Sequence, residues 1–180
     1  LLFGFKSLVA DEGMWMPNLI KTLNEKDMQE KGLQLSADEI YNINNSSLKD
    51  AIVALNGGGC TAEMISAEGL MLTNHHCVDD LVQSHSTVEN NYLKNGFWAM
   101  SKTEELKNEG VTATFLVSIE DVTNLFKDSL SSDLSESERN QMISKISKTI
   151  VKEKTDSTSY SARVRSFFGG NDFYLVTYQT

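Results

Sequence analysis

The chain has 180 residues, 40% hydrophobic and 23% charged, the balance of a globular domain long enough to bury a real core. Its net charge of −9 argues against a nucleic-acid binder, which needs a basic face. No run approaches the roughly 18 apolar residues that a membrane-spanning helix requires.

Residues 1–10 read as the end of a secretory signal cut after Ala10, although Lys6 interrupts the apolar stretch and Leu8 stands where a small residue is usual. Residues 18–31 predict a helix with Leu19, Ile20 and Leu23 on one face, Pro17 before it and Gly32 as its stop. Ser36-Ala37-Asp38-Glu39 is a capping box, and Leu35 with Ile40 staples it, so a short second helix is expected through about Ile43. Asn44-Asn45-Ser46-Ser47 breaks that helix. Residues 51–55 read as a buried strand leading into Asn56-Gly57-Gly58-Gly59. Residues 60–66 predict one strand of a hairpin. Ala67-Glu68-Gly69 is its connection, with Gly69 free to take positive φ, and residues 70–73 are the return strand.

That return strand runs into Asn74-His75-His76-Cys77. Residues 78–82 read as a helical turn with Asp79 and Asp80 on a solvated face, and residues 88–98 as an irregular helix plus loop. Residues 111–119 alternate and are rich in β-branched side chains, the pattern of a strand. Ser135 and Glu138 make another capping box. It opens a helix over 135–151 with Met142, Ile143, Ile146 and Ile150 on one face. Residues 160–168 and 173–178 predict two strands joined by Gly169-Gly170-Asn171-Asp172. Trp15 and Trp98 are expected to anchor the core. The order of elements fits a mixed α+β fold with a mainly β core, a barrel decorated with helices rather than alternating βαβ units.

Chemistry concentrates between Gly57 and Cys77. An imidazole at a strand end, pinned beside a cysteine, is a way to place a general base, because imidazole exchanges protons near neutral pH. The plain alternative is a histidine that merely hydrogen-bonds the strand end. Gly57-Gly58-Gly59 lacks the Gly-Lys-Ser/Thr ending and the following helix of a phosphate loop, so a tight bend is the simpler reading. Cys60, Cys77, His75, His76 and His85 could together hold zinc. Against that, adjacent histidines on a strand end point apart, and no Cys-x-x-Cys occurs. The two cysteines fit an oxidising compartment.

Leu72-Thr73-Asn74-His75-His76-Cys77 resembles the Leu-Thr-Ala-Ala-His-Cys box of chymotrypsin-like serine proteases. The fuller string, Gly57-Gly58-Gly59-Cys60-Thr61 followed by Gly69-Leu70-Met71 and that box, resembles the S46 peptidases, bacterial dipeptidyl-peptidases that clip dipeptides from peptide N-termini. Asp11-Glu12-Gly13-Met14-Trp15, Gln83-Ser84-His85-Ser86-Thr87-Val88-Glu89-Asn90 and Gly96-Phe97-Trp98-Ala99 are similar to the same family. The resemblance runs from about Ala10 to Thr180. Val78 departs from it, since the family usually carries glycine after this cysteine.

The resemblance implies the first part of a chymotrypsin-like double β-barrel with added helices. His76 would be the catalytic base and His75 structural. A Cys60–Cys77 disulfide would hold the His76 loop, a closure worth about 3 kcal/mol. It implies no cofactor and no metal. Partners would be peptides with a free N-terminus, the full-length protein could form a homodimer, and the location would be the periplasm or cell surface of a Gram-negative bacterium. A serine protease also needs a nucleophile and an orienting carboxylate. No Gly-x-Ser-x-Gly or Gly-Asn-Ser-Gly box occurs, and Asp121 and Asp172 are only local substitutes. Residues 11–180 are therefore expected to be the N-terminal part of the catalytic domain, inert alone. Two rival readings are a zinc-binding domain and a non-catalytic secreted binding module that keeps a relic protease fold.

Overall fold

The computed structural model describes residues 13–180, so the signal reading of residues 1–10 lies outside the described residues. Six strands are present among them: β1 (Ile52–Leu55), β2 (Cys60–Met64), β3 (Met71–Thr73), β4 (Ala113–Asp121), β5 (Ser161–Phe167) and β6 (Asp172–Gln179). They form one sheet in the order β3-β2-β1-β4-β6-β5, with every neighbouring pair antiparallel. Helices α1 (Ile20–Leu23), α2 (Glu25–Glu30) and α3 (Ala37–Ile40) precede the sheet. Helices α4 (Asp79–His85) and α5 (Tyr92–Asn95) fall between β3 and β4; α6 (Asn124–Lys127) and α7 (Glu136–Thr155) fall between β4 and β5. The mixed, β-centred class expected from the sequence is what forms. Strands β3 and β5 are the sheet's edges among the described residues.

The sheet rests on two cores. At one end Val53, Leu55 and Ala62 pack with Cys60, Met64, Met71, Ala113 and Phe115. At the other, α7 lies across β5 and β6. Its stripe of Ile143, Ile146, Ile150 and Val151 meets Phe126, Phe173 and Leu175. The rings of Phe126 and Phe173 stack with centroids 4.0 Å apart. Helix α7 starts where the capping box predicts: Ser135 Oγ accepts from the backbone N–H of Glu138, and Glu138 Oε2 accepts from that of Ser135. At its far end Lys154 Nζ donates to Glu120 Oε1 at 2.6 Å, and Ser118 Oγ donates to the same oxygen at 2.7 Å.

Several expectations change. The single helix over 18–31 is split at Asn24, whose backbone leaves the helical region (φ −129°); a short amide competes with helical backbone bonds. Helix α3 stops at Ile40 rather than near Ile43. Tyr41 turns extended, buries its ring, and its hydroxyl accepts the backbone N–H of Ile119 at 2.9 Å. That N–H lies beside the irregularity in β4–β6 pairing between Leu116 and Ser118, so a tertiary bond outweighs one more helical turn. Trp15 and Trp98 do not anchor a core; they are 53% and 81% exposed. Gly96, at φ +73°, ends α5, and only Phe97 folds back, onto Tyr92 with centroids 4.9 Å apart.

Two predictions follow from this packing. Phe126→Ala should lower the unfolding free energy by about 3–5 kcal/mol in a denaturant titration, because both stacking and volume are lost in a closed core. Burial pushes the Glu120 carboxyl up, but the hydrogen bonds from Lys154 and Ser118 outweigh it and hold the group below its ordinary value of 4.5. A folded value below the unfolded one stabilises the fold above that ordinary value, and the contribution is lost as pH falls through the folded value. Glu120→Gln should therefore show a shallower loss of stability between neutral and acid pH than the unaltered chain.

Candidate active site

The β2–β3 hairpin carries the site. Ala62 pairs with Thr73, Glu63 with Leu72 and Met64 with Met71. Its connection is wider than the three residues expected. Ile65 N–H donates to Leu70 O at 2.9 Å, and Ser66 Oγ accepts from the backbone N–H groups of Glu68 and Leu70. Gly69 takes φ +91° there, as the turn requires. After β3, Asn74 is extended, and His75–Cys77 forms a single 3₁₀ turn closed by Cys77 N–H to Asn74 O at 3.0 Å and Val78 N–H to His75 O at 2.9 Å.

His76 sits in the middle of that turn and is exposed. It is held from both sides. On the β3 side, Thr73 Oγ1 donates to Thr61 O at 2.8 Å, adding to the ladder. On the other side, Cys77 is disulfide-bonded to Cys60, the first residue of β2, with Cα atoms 6.0 Å apart. A nitrogen of His76 and both sulfurs lie within 4.8 Å of one another. The glycine run lies in the four-residue loop joining β1 to β2, beside Cys60. Asn56, Gly57 and Gly58 all take positive φ there, and Gly58 N–H donates to Leu55 O at 2.9 Å. It is a hairpin bend, as its composition suggests.

The other histidines turn elsewhere. His75 Nδ1 lies 2.5 Å from Asp79 Oδ1 across the start of α4. The approach lacks the direction of a hydrogen bond, and that buried oxygen has no hydrogen-bond partner among the described residues. His85 Nε2 meets Asn108 Oδ1 at 3.0 Å. Of the five residues weighed as zinc ligands, the fold gathers Cys60, Cys77 and His76. In the disulfide the sulfurs are not thiolates, which is what zinc takes.

Neither local aspartate serves His76. Leu55 pairs with both Cys60 and Ala113, so the His76 turn lies at the Ala113 end of β4. Asp121 closes β4 at its other end, eight residues on, which is roughly 26 Å of strand. Its carboxylate accepts the backbone N–H of Thr123 at 2.9 Å. Hydrogen bonds from the Thr123 side chain and backbone hold it below the ordinary carboxylate value. Asp172 begins β6 at that same far end. Among the described residues, no hydrogen bond or ion pair joins His76 to a carboxylate. The sequence reading missed Asp79 as the partner of His75; the i, i+4 spacing at a helix start was the available signal.

The sequence profile of the Peptidase S46 family matches residues 10–180. A dipeptidyl-peptidase 7 of Capnocytophaga gingivalis is 48% identical over 170 residues, covering 94% of this chain and 24% of that relative. An Asp/Glu-specific dipeptidyl-peptidase of Flavobacterium psychrophilum is 45% identical over 179 residues, covering 97% of this chain and 24% of the relative. The crystal structure of Porphyromonas endodontalis DPP11 in complex with the dipeptide Arg-Glu superposes with a TM-score of 0.75 at 39% identity, over 94% of this chain and 25% of that one. The chain thus spans about a quarter of the length of the relatives it matches. On the strength of the profile match over nearly its whole length, the chain belongs to the Peptidase S46 family.

Proposed function

We propose that this chain is the N-terminal part of the catalytic domain of a serine-type dipeptidyl-peptidase, with His76 as its general base. The observation that carries the reading is the hold on the His76 turn: an exposed imidazole on a backbone turn fixed between a strand ladder and a disulfide. A base must meet its proton donor in one geometry, and a side chain held on rigid backbone does so without reorganising. The antiparallel sheet would be the first part of a chymotrypsin-like double β-barrel. The nucleophilic serine and the orienting aspartate would come from the rest of the protein, consistent with a span of about a quarter of its relatives. Alone, residues 11–180 would be inert.

In the assembled enzyme the serine Oγ attacks the carbonyl carbon of the second residue of a peptide. His76 takes the serine proton and returns it to the leaving amine, so the longer peptide departs and the dipeptide stays as an acyl-enzyme. Water then enters by the same exchange, losing its proton to His76, and releases the dipeptide. Substrates would be peptides with a free N-terminus, and no cofactor takes part. Residues 1–10 would be the end of a signal peptide directing the protein to the periplasm or cell surface of a Gram-negative bacterium. Two relatives of different name, one of them Asp/Glu-specific, match at 48% and 45%, so overall similarity does not assign a specificity.

One observation favours a second reading of the base. Asp79 stands against Nδ1 of His75, where an orienting carboxylate stands in a triad. Paired alanine variants of the full-length enzyme decide it. His76→Ala should cut release of dipeptides by at least about 10³-fold, while His75→Ala keeps turnover and loses some stability. The reverse pattern makes His75 the base, and full activity in both variants refutes a general base on this turn. The hold on the turn is tested separately: the Cys60→Ala/Cys77→Ala double variant should lose about 3 kcal/mol of unfolding free energy.

A further inference from the structure

The disulfide offers no thiolate, yet its two sulfurs and a nitrogen of His76 lie within 4.8 Å of one another. We propose that reduction of Cys60–Cys77 turns this corner into a zinc site formed by Cys60 Sγ, Cys77 Sγ and a ring nitrogen of His76. A dithiol reductant gives two electrons and two protons to the S–S bond, which breaks to two thiols, while the reductant itself becomes a disulfide. A zinc ion then displaces both thiol protons and accepts the lone pair of the neutral imidazole. Water fills the fourth position.

Much of the backbone bonding that brings these side chains together does not involve the sulfur bond. The two Cα atoms are 6.0 Å apart. Cys60 opens β2, whose ladder to β3 and whose bond from Thr73 Oγ1 involve no sulfur. Cys77 closes a turn through its own N–H on Asn74 O. Forming two Zn–S bonds of about 2.3 Å then calls for side-chain rotation, not a moved chain. The remaining imidazoles are engaged elsewhere, His75 against Asp79 and His85 with Asn108, which singles out His76. Cys60 and Cys77 are only half-buried and His76 is exposed, so the corner is open to reductant and ion. Zinc on His76 occupies the lone pair a general base must keep free. On the peptidase reading, the ion would therefore silence the reduced enzyme and spare the oxidised one.

Binding itself is independent of that reading and is tested without activity. The 180-residue chain, whose two cysteines are these, is reduced with a phosphine, desalted without oxygen and titrated with Zn²⁺ alone against a chromophoric chelator. The reduced chain should take up a single zinc ion and the oxidised chain none. In the reduced chain, His76→Ala should bind about tenfold more weakly or worse, and His75→Ala as the unaltered chain does. The proposal is overturned if reduction adds no binding, if His76→Ala binds as well as the unaltered chain, or if both histidine variants lose equally. Equal loss is the pattern of an unfolded chain whose thiols catch zinc loosely. Because the readout is metal uptake, its failure leaves the peptidase reading where it stood.

Discussion

A covalent bond between Cys60 and Cys77 decides where His76 stands. The turn that carries this histidine has only two backbone hydrogen bonds of its own, each worth about 1 kcal/mol net. Such a turn on an edge strand would open and close freely. The β2–β3 ladder restrains its beginning, and the disulfide restrains its end by joining Cys77 to the first residue of β2. Position is thus supplied by topology and one covalent link, while the imidazole stays open to solvent, where a substrate could reach it.

The same division runs through the whole sheet. The fully buried side chains of the core under the site, Val53, Leu55 and Ala62, are small and medium in size. The heavier packing, with stacked Phe126 and Phe173 beneath α7, lies at the other end. Strand β4 spans both ends, and β6 is buried on both faces from Phe173 to Thr177. A thin core near the reactive turn and a thick one away from it would leave the site to be steadied locally. The disulfide meets that need.

What could be read from the sequence was what local chemistry decides. The capping boxes at Ser36 and Ser135, the apolar stripe of α7, the glycine bend before Cys60 and the two terminal strands all form where residue type and spacing place them. The departures come from contacts between distant segments. Tyr41 leaves a helix to meet Ile119, 78 residues away. Trp98 has the composition of a core residue and none of the neighbours, because Gly96 turns the chain first. At the site, the residues of the Cys-His box were legible through the family resemblance. That His75 faces Asp79 whereas His76 faces the sulfurs depends on a 3₁₀ turn too short to leave a periodic pattern.

The central claim is that His76, not His75, exchanges the proton with substrate. It is tested most directly by treating the full-length protein with a dipeptidyl chloromethyl ketone bearing a free amine and mapping the labelled site by mass spectrometry. Such a reagent alkylates the imidazole that lies against the bound scissile carbonyl. Label on His76 that is blocked by excess peptide substrate is the predicted result. Label on His75, or on neither histidine while the enzyme keeps its activity, contradicts the account.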